Sequence, residues 1–233
     1  ILGIRGPAPR LAWMSFQVNF LFWFLLAAAS TCFSAALHIC NAQWSRPLRR
    51  LFESASPFFL WSLIPLVILY MGKSHLFVWV HETIEGKGAW LAPDFVYARD
   101  FIAMLILAVL GRKLVFLSVQ RDIGAIRKGL TGLPDSQTSR WSAKQYDSYV
   151  DGWGDDAKAE IREATDTLGM LSPIVVMCYA VIISLIAFDQ IMSVDPHWFS
   201  TLFGAFVFMS AVYMAMAWCS IGVGCARLLH PLF

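Results

Sequence analysis

The sequence predicts an all-α integral membrane protein, built as a multi-pass bundle of transmembrane helices. Composition is the first reason: of 233 residues, 58% are hydrophobic and 15% are charged, whereas soluble domains average about 45–50% apolar and about 25% charged. The second is a mean hydropathy of +0.60. The third is a series of apolar runs that meet or approach the roughly 20 residues needed to cross a bilayer.

The apolar runs divide the chain, residues 1–233, into about five candidate spans within a single transmembrane domain. They cover residues 16–40, 57–71, 100–119, 171–192 and 198–223. The second run is short and contains Pro57 and Pro65, so we expect it to be kinked or extended by its flanks. Asp100 and Arg112 are expected to mark the ends of the third span. Aromatic residues near the expected span ends predict an interfacial belt that includes Trp13, Trp44, Tyr70, Trp79 and Trp198.

The basic residues predict an orientation. Of the 18 Lys and Arg residues, five fall on the side that holds the chain start, the loop around 73–99 and Asp195, and thirteen fall on the other side. Loops rich in Lys and Arg stay in the cytoplasm. The side with thirteen is therefore predicted to be cytoplasmic, and the loop that contains Asp195 is predicted to face outward.

Residues 120–170 form the one sizeable polar segment and are predicted to be a cytoplasmic loop. Within it, "DDAKAEIREATDTLG" has the spacing of an amphipathic helix, with Asp155 near its start and Gly169 just past its end. Its apolar face consists of Ala157, Ile161, Ala164 and Leu168. We interpret it as a surface helix, with a docking site for a peripheral subunit as the alternative.

Several classes of function are disfavoured. A net charge of +2 without a basic stripe argues against nucleic-acid binding. The five cysteines lie in apolar tracts without CxxC spacing, so we expect small buried hydrophobic residues and not metal or cluster ligands. The histidines do not fall at matching depth on facing helices, which disfavours haem. No nucleophile–base pair or phosphate loop is visible, so no self-contained catalytic site is predicted.

Ionisable residues within or beside the apolar runs are the candidate functional groups, because each is costly in a bilayer. Asp195 precedes Pro196 and the fifth run, which predicts a helix N-cap with proline at the first helical position. His197 would then lie in the first turn, at the interface. Asp189 lies inside the fourth helix without a capping role, so it must face the bundle interior, a water-filled cavity or a partner. His38, near the inner end of the first span, is expected to hydrogen-bond to a neighbouring helix.

Three motifs resemble the F-subunit family of alternative complex III. "NFLFWFLLAAASTCFSAALHICNAQWSRPLRR" is similar to the family's second transmembrane region and its W-x-x-x-x-R-R turn, matched by Trp44, Arg49 and Arg50. "RKLVFLSVQRDIG" resembles a helix end at which Ser118, Gln120 and Asp122 match. "FDQIMSVDPHWFSTLFGAFVF" is similar to the family's FDW-MS-DPHW-ST-FG-YFF signature. The departures are Gln190 in place of Trp, and Lys113 in place of a second Arg.

The resemblance implies an NrfD-like subunit of a quinol:cytochrome c oxidoreductase in the bacterial inner (cytoplasmic) membrane. Such subunits have about ten spans, so we expect one further helix before residue 1 and several after residue 233. The resemblance implies no cofactor in this chain. It places haem c and iron–sulfur clusters in partner subunits: a C-type sister subunit, an iron–sulfur subunit and a multihaem cytochrome c. Quinol oxidation is placed in the sister subunit, and proton conduction has been suggested for the F subunit.

These observations support three hypotheses. The first is a scaffolding subunit of an electron-transfer complex that also conducts protons through His38 and Asp189, with Asp195 and His197 at the outer exit. The second is a quinone-binding membrane anchor of an NrfD-type polysulfide or nitrite reductase complex, which predicts a pocket lined by His and Asp. The third is a secondary transporter, against which the sequence shows no inverted repeat.

Overall fold

The computed structural model describes residues 9–82, 84, 86–128 and 144–229. All the regular structure in this part of the chain is helical, as the sequence predicts. The helices, in chain order, are α1 (Pro9–Ile39), α2 (Arg46–Glu53), α3 (Phe58–Trp61), α4 (Leu63–Leu76), α5 (Pro93–Arg127), α6 (Ala157–Ile186) and α7 (Phe203–Leu229). Short helical turns lie at Gln43–Ser45, Val78–Val80, Lys144–Tyr149, Ala187–Ile191 and Met192–Val194.

Four helices among the described residues are long and apolar enough to cross a membrane: α1, α5, α6 and α7. A fifth span is formed if the bent pair Arg46–Trp61 and Leu63–Leu76 is counted as one. The pair bends by 42°, between α3, which Pro57 precedes, and α4, which has Pro65 in its first turn. The all-α class and the bend near Pro57 and Pro65 are therefore confirmed, and the four to five long apolar helices are consistent with a membrane protein.

Helix α1 is the central helix of the bundle and packs against α4, α6 and α7. Its middle turns are built from Ala27, Ala28 and Ala29, which are almost completely buried, because small side chains let neighbouring helices approach closely. Between α6 and α7 the close approach is at Gly204, where an added Cβ would lie 2.8 Å from the Ser184 hydroxyl oxygen. Gly224, later in α7, faces open space.

The helix directions define two ends of the bundle. Helices α1 and α5 end, and α6 begins, at one end, which also carries α2; we call this the basic end. The opposite end holds the start of α5 and the turn Ala187–Ile191 that follows α6; we call it the Asp189 end. Consequently, side chains near the two termini of α1 lie at opposite faces of the bundle.

The polar segment before the fourth span differs from the sequence prediction. Asp156, and not Asp155, caps α6: its Oδ1 accepts hydrogen bonds from the backbone N–H groups of Lys158 and Ala159. The helix does not stop at Gly169 but continues to Ile186. Leu168 is buried in a cluster against α1 and α5, and this packing carries the helix through the glycine. The predicted amphipathic helix is therefore the first part of the fourth span.

The span boundaries also differ. Helix α5 runs from Pro93 to Arg127, so Asp100 and Arg112 lie within it and do not mark its ends. Asp100 is completely buried, whereas Arg112 is exposed. Since helix ends are set by caps and packing as well as by hydropathy, an apolar window underestimates the length of such a helix.

The predicted aromatic belt is only partly present. Trp44, Tyr70 and Trp198 are exposed, as the belt requires. Trp13 and Trp79 are instead buried in the core; the Trp79 indole N–H donates to the Ser193 carbonyl at 3.1 Å.

Two of the cysteines also depart from the expected burial. Cys32 and Cys219 are buried, Cys178 is intermediate, and Cys40 and Cys225 are exposed.

Candidate functional site

Asp189 is buried at the Asp189 end of the bundle, with 1% of its surface exposed. It lies in the π-helical turn Ala187–Ile191, where the backbone of α6 widens by one residue. Such turns inside α-helices are frequent at functional sites. Of the three surroundings that the sequence left open for Asp189, the structure shows the bundle interior.

The carboxylate of Asp189 is held by groups from the start of α5 and the loop before it. Arg99 donates to Oδ2 from Nε at 3.0 Å and from Nη2 at 2.5 Å. The Trp90 indole N–H donates to Oδ1 at 3.2 Å. The Trp90 ring also stacks on the guanidinium, whose central carbon lies 3.9 Å from the ring centroid. The indole therefore orients both partners of the ion pair.

A second carboxyl, that of Asp100, lies beside this ion pair and is completely buried. The Gln190 side-chain amide donates to Asp100 Oδ2 at 2.7 Å, and the backbone carbonyl of Gln190 accepts from the Gln17 side-chain amide at 2.6 Å. Helices α1, α5 and the turn after α6 are thus joined by side-chain hydrogen bonds. We call Trp90, Arg99, Asp100, Asp189 and Gln190 the Asp189 cluster.

Three buried atoms of the Asp189 cluster have no hydrogen-bond partner among the described residues: Arg99 Nη1, Asp100 Oδ1 and Gln190 Oε1. Buried polar atoms are nearly always satisfied, by protein or by ordered water. These atoms are one donor and two acceptors, and they lie beside the two carboxyls of the cluster. A bound water, or a proton on Asp100, would supply hydrogen bonds for them.

The other two candidates near this end are not part of the cluster. Asp195 and His197 are exposed, and neither side chain hydrogen-bonds to Asp189 in the described part of the chain. The helix that Asp195 was predicted to cap begins only at Phe203. Asp195 Oδ1 instead accepts from the His197 N–H at 3.2 Å, and this bond closes a turn. The Pro196 carbonyl accepts from Lys87 Nζ at 2.8 Å, which holds the turn against a neighbouring loop.

His38 lies in a second buried group of ionisable residues, at the basic end. Its Nε2 is 3.9 Å from Glu53 Oε1, and its Nδ1 is 3.4 Å from Arg49 Nη1. Glu53 is 4% exposed and accepts from the Ser34 hydroxyl at 3.0 Å. His38 therefore contacts a neighbouring helix, α2, as predicted.

Arg50 joins α2 to α5 at the basic end. It pairs with Glu53 through Nη1. Its Nη2 donates to Asp122 Oδ2 at 2.5 Å and to the Ser118 carbonyl at 2.8 Å. Arg50, Ser118 and Asp122 were singled out separately by the motifs, and the fold brings them together. We call His38, Arg49, Arg50, Glu53 and Asp122 the Arg49 cluster.

The two clusters lie at opposite ends of the same helices. From Gln17 to His38 along α1 the rise is about 30 Å at 1.5 Å per residue, which is comparable with the hydrocarbon thickness of a bilayer. Ser30, Ser34 and His38 lie on one face of α1 because they are four residues apart. Both serines are completely buried, and the Ser30 hydroxyl has no partner among the described residues.

Four important residues were not identified as candidates from the sequence. Glu53 and Arg99 flank apolar runs and resemble ordinary interfacial charges. Asp100 was interpreted as a helix end, and Trp90 lies in a loop. One feature of the sequence could have identified two of them: Arg99 and Asp100 are adjacent at the start of an apolar run. A pair of charges at that position requires partners from another helix.

Among the described residues, no group of three or more His, Cys, Asp or Glu side chains could hold a metal ion. The sequence matches no protein-family model and no curated protein. Thus the three quoted motifs alone carry the resemblance, and the geometry of the two clusters carries the functional argument.

Proposed function

We propose that this chain is a non-haem, multi-pass subunit of a membrane quinol:cytochrome c oxidoreductase of the alternative complex III type, which scaffolds the complex and conducts protons. The observation that carries the proton role is the pair of buried ionisable clusters at opposite ends of one helix bundle. Buried ionisable groups within spans are costly and are typical of proton relays. In such a relay, one cluster would take up protons at one face of the membrane and the other would release them at the opposite face.

At the basic end, Glu53 and His38 would exchange protons. Glu53 accepts from Ser34, and Ser30 lies one helical turn farther along α1. Because a hydroxyl both donates and accepts, Ser34 and Ser30 extend the polar face of α1 into the bundle. From Ser30 to Gln17 about 20 Å remain, beside Phe20 and Phe24 in the core. Ordered waters or partner helices would bridge this apolar stretch.

At the other end, the Asp189 cluster would hold the proton. It contains two carboxyls, Asp100 and Asp189, and one guanidinium, Arg99, so its charge is balanced when the carboxyl pair carries one proton. Gaining or losing that proton changes the charge by one. Asp195 and His197, exposed beyond the cluster, would serve as the exit, with water between them and Asp189.

The test requires the native assembly. The tagged chain would be purified in mild detergent and its partners identified by mass spectrometry; multihaem cytochrome and iron–sulfur subunits are expected. The complex would then be reconstituted into proteoliposomes, with quinol as donor and cytochrome c as acceptor. Proton release and electron transfer would be measured together.

We predict that Asp189→Asn and Glu53→Gln each lower the number of protons released per electron, because each removes a titrating carboxyl from the path. Glu82→Gln is the matched control: it removes a carboxylate from the loop before α5, and its side chain is exposed and has no ion pair or hydrogen bond among the described residues. Unchanged turnover and proton release in both variants would contradict the proton role. Co-purification without any redox subunit would contradict the assembly.

Quinone binding is the second candidate, and one cleft favours it. A cavity of about 290 Å³ lies between α4 and α5, lined by Leu66, Val67, Tyr70, Asp94, Tyr97, Ala98 and Phe101. Its apolar walls suit a quinone ring and tail, although no histidine is found among the described residues that line it. Illumination of a photoreactive quinone analogue bound to the complex would label Tyr70 or Tyr97 if this role is correct. Labelling confined to other subunits would contradict it.

A further inference from the structure

The basic end contains a polar cavity whose lining is strongly cationic. The cavity has a volume of about 310 Å³ and is lined by Asn41, Arg46, Arg49, Arg121, Asp122, Ala125, Ile161 and Thr165. It is built where the end of α1 and the start of α2 meet α5 and α6. Three guanidinium groups therefore face one carboxylate across the same space.

Asp122, the one carboxylate among the described residues of the lining, is already neutralised. Asp122 accepts from Arg50 at 2.5 Å through Oδ2 and from Arg121 at 3.0 Å through Oδ1. Both carboxylate oxygens of Asp122 therefore accept from guanidinium groups. Arg121 belongs to the cavity lining, and Arg50 lies outside it. The positive charge of Arg46 and Arg49 is left without a counter-ion from Asp122.

Arg49 is the decisive residue, because it is 4% exposed and forms no ion pair with a carboxylate among the described residues. Its hydrogen bonds, to His38 Nδ1 and to the Ala42 carbonyl, are both 3.4 Å long. Its buried Nε has no partner in the described part of the chain. A buried guanidinium normally has a paired anion, since its desolvation is otherwise uncompensated.

Arg46 is the second unpaired arginine of the cavity and lies at its edge. It is exposed and has no ion pair or side-chain hydrogen bond among the described residues. Asn41, also on the lining, has a left-handed backbone with φ of 46°, which asparagine tolerates at the end of a helix. It ends α1 in a Schellman cap, in which the Ala42 N–H donates to the Leu37 carbonyl at 3.0 Å and the Asn41 N–H donates to the His38 carbonyl at 3.1 Å. The chain then turns into α2, which carries Arg46 and Arg49.

We infer that this cavity binds a phosphate group. Two guanidinium forks without carboxylate partners match the geometry of a phosphate oxyanion, which arginine binds bidentately. Trp44, two residues before Arg46, is 73% exposed and is of the residue type that settles at the headgroup layer. Basic pockets between helices on the cytoplasmic side bind phosphorylated headgroups. The phosphate can thus come from an anionic phospholipid or from solution, and the site does not depend on the proton-conducting role.

The experiment uses the complete protein, delipidated in detergent, and three probes: phosphatidylglycerol, phosphatidylcholine and inorganic phosphate. Binding would be followed by native mass spectrometry and by the thermal unfolding midpoint. Arg46→Gln is the main variant because the Arg46 side chain is exposed and makes no ion pair or side-chain hydrogen bond among the described residues. Arg49→Lys retains the buried charge but loses the fork. Arg112→Gln, which removes an exposed arginine from α5 outside the cavity, is the charge-matched control.

We expect phosphatidylglycerol to bind and to raise the unfolding midpoint, and phosphatidylcholine to do so far less. Arg46→Gln and Arg49→Lys should each weaken this binding by about tenfold or more, since each removes a charge-assisted contact, while Arg112→Gln should not. Stabilisation by inorganic phosphate alone, lost in Arg46→Gln, would assign the site to soluble phosphate. The inference would be overturned if both lipids raised the unfolding midpoint equally and inorganic phosphate did not change it. It would also be overturned if lipid binding were unchanged in both Arg46→Gln and Arg49→Lys.

Discussion

At the scale of single residues, the main result is that Asp189 has specific partners. Arg99 and Trp90 hold its carboxylate, and Asp100 lies beside it. Gln190, one of the two residues that differ from the motifs this sequence resembles, donates to Asp100. A tryptophan at this position has a single indole donor and no acceptor, so it would form this bond with a different geometry.

We predict that Arg99→Gln destabilises the protein by about 3–5 kcal/mol, because it leaves two buried carboxyls without a cation. As a control, Arg162→Gln removes an exposed arginine from the polar first turns of α6 and should have an effect within about 0.5 kcal/mol. The measurement is the free energy of unfolding in mixed detergent micelles. Equal effects of the two substitutions would show that the Arg99–Asp189 pair adds no stability.

At the scale of helices, the structure explains why span prediction succeeded in outline and failed at the boundaries. The apolar runs gave the correct helices because the length of a hydrophobic run is a local property. Gly169 and the pair Asp195–Pro196 are good local stop and start signals, but neither ends or begins a helix here. Leu168 and Leu171 pack against α1 and α5, and that burial outweighs the cost of one glycine, about 1 kcal/mol relative to alanine.

The contact between α6 and α7 gives a prediction at this scale. Gly204→Ala should destabilise the protein by about 1–3 kcal/mol, because the added Cβ would lie 2.8 Å from Ser184 Oγ and 3.2 Å from its Cα. Gly224→Ala, in the same helix, meets nothing within 4 Å and should be neutral or slightly stabilising. Thermal unfolding of both variants in one detergent checks the difference. A neutral Gly204→Ala would mean that the two helices separate easily.

At the scale of the whole molecule, the exposed surface is that of a protein that faces lipid. On α5, Ile102, Ile106 and Val109 are largely exposed, whereas Met104 and Leu107 are buried. Apolar residues therefore cover both faces of the helix, as expected where the solvent is hydrocarbon. Among the described residues, the buried charged side chains lie at the two ends, in the Asp189 cluster and the Arg49 cluster.

The fold predicts that these two ends lie on opposite sides of the membrane. In a variant whose only cysteine is the exposed Cys40, a membrane-impermeant maleimide should react from the side of the basic end. In a cysteine-free variant that carries Asp195→Cys, it should react from the other side. Sealed vesicles of known orientation provide the measurement. Reaction of both positions from the same side would contradict the five-span topology.

The sequence by itself predicted the all-helical class and the approximate number of helices long and apolar enough to span a membrane, and it singled out Asp189 and His38 as ionisable groups within them. These properties follow from run length and from the cost of one charge in lipid, so they need no knowledge of neighbours. Only the tertiary structure decided what those residues contact. Arg99 and Asp189 are 90 residues apart in the chain, and Arg50 and Asp122 are 72 apart. Such pairs form because helix packing aligns them, and no local pattern records which helices will meet.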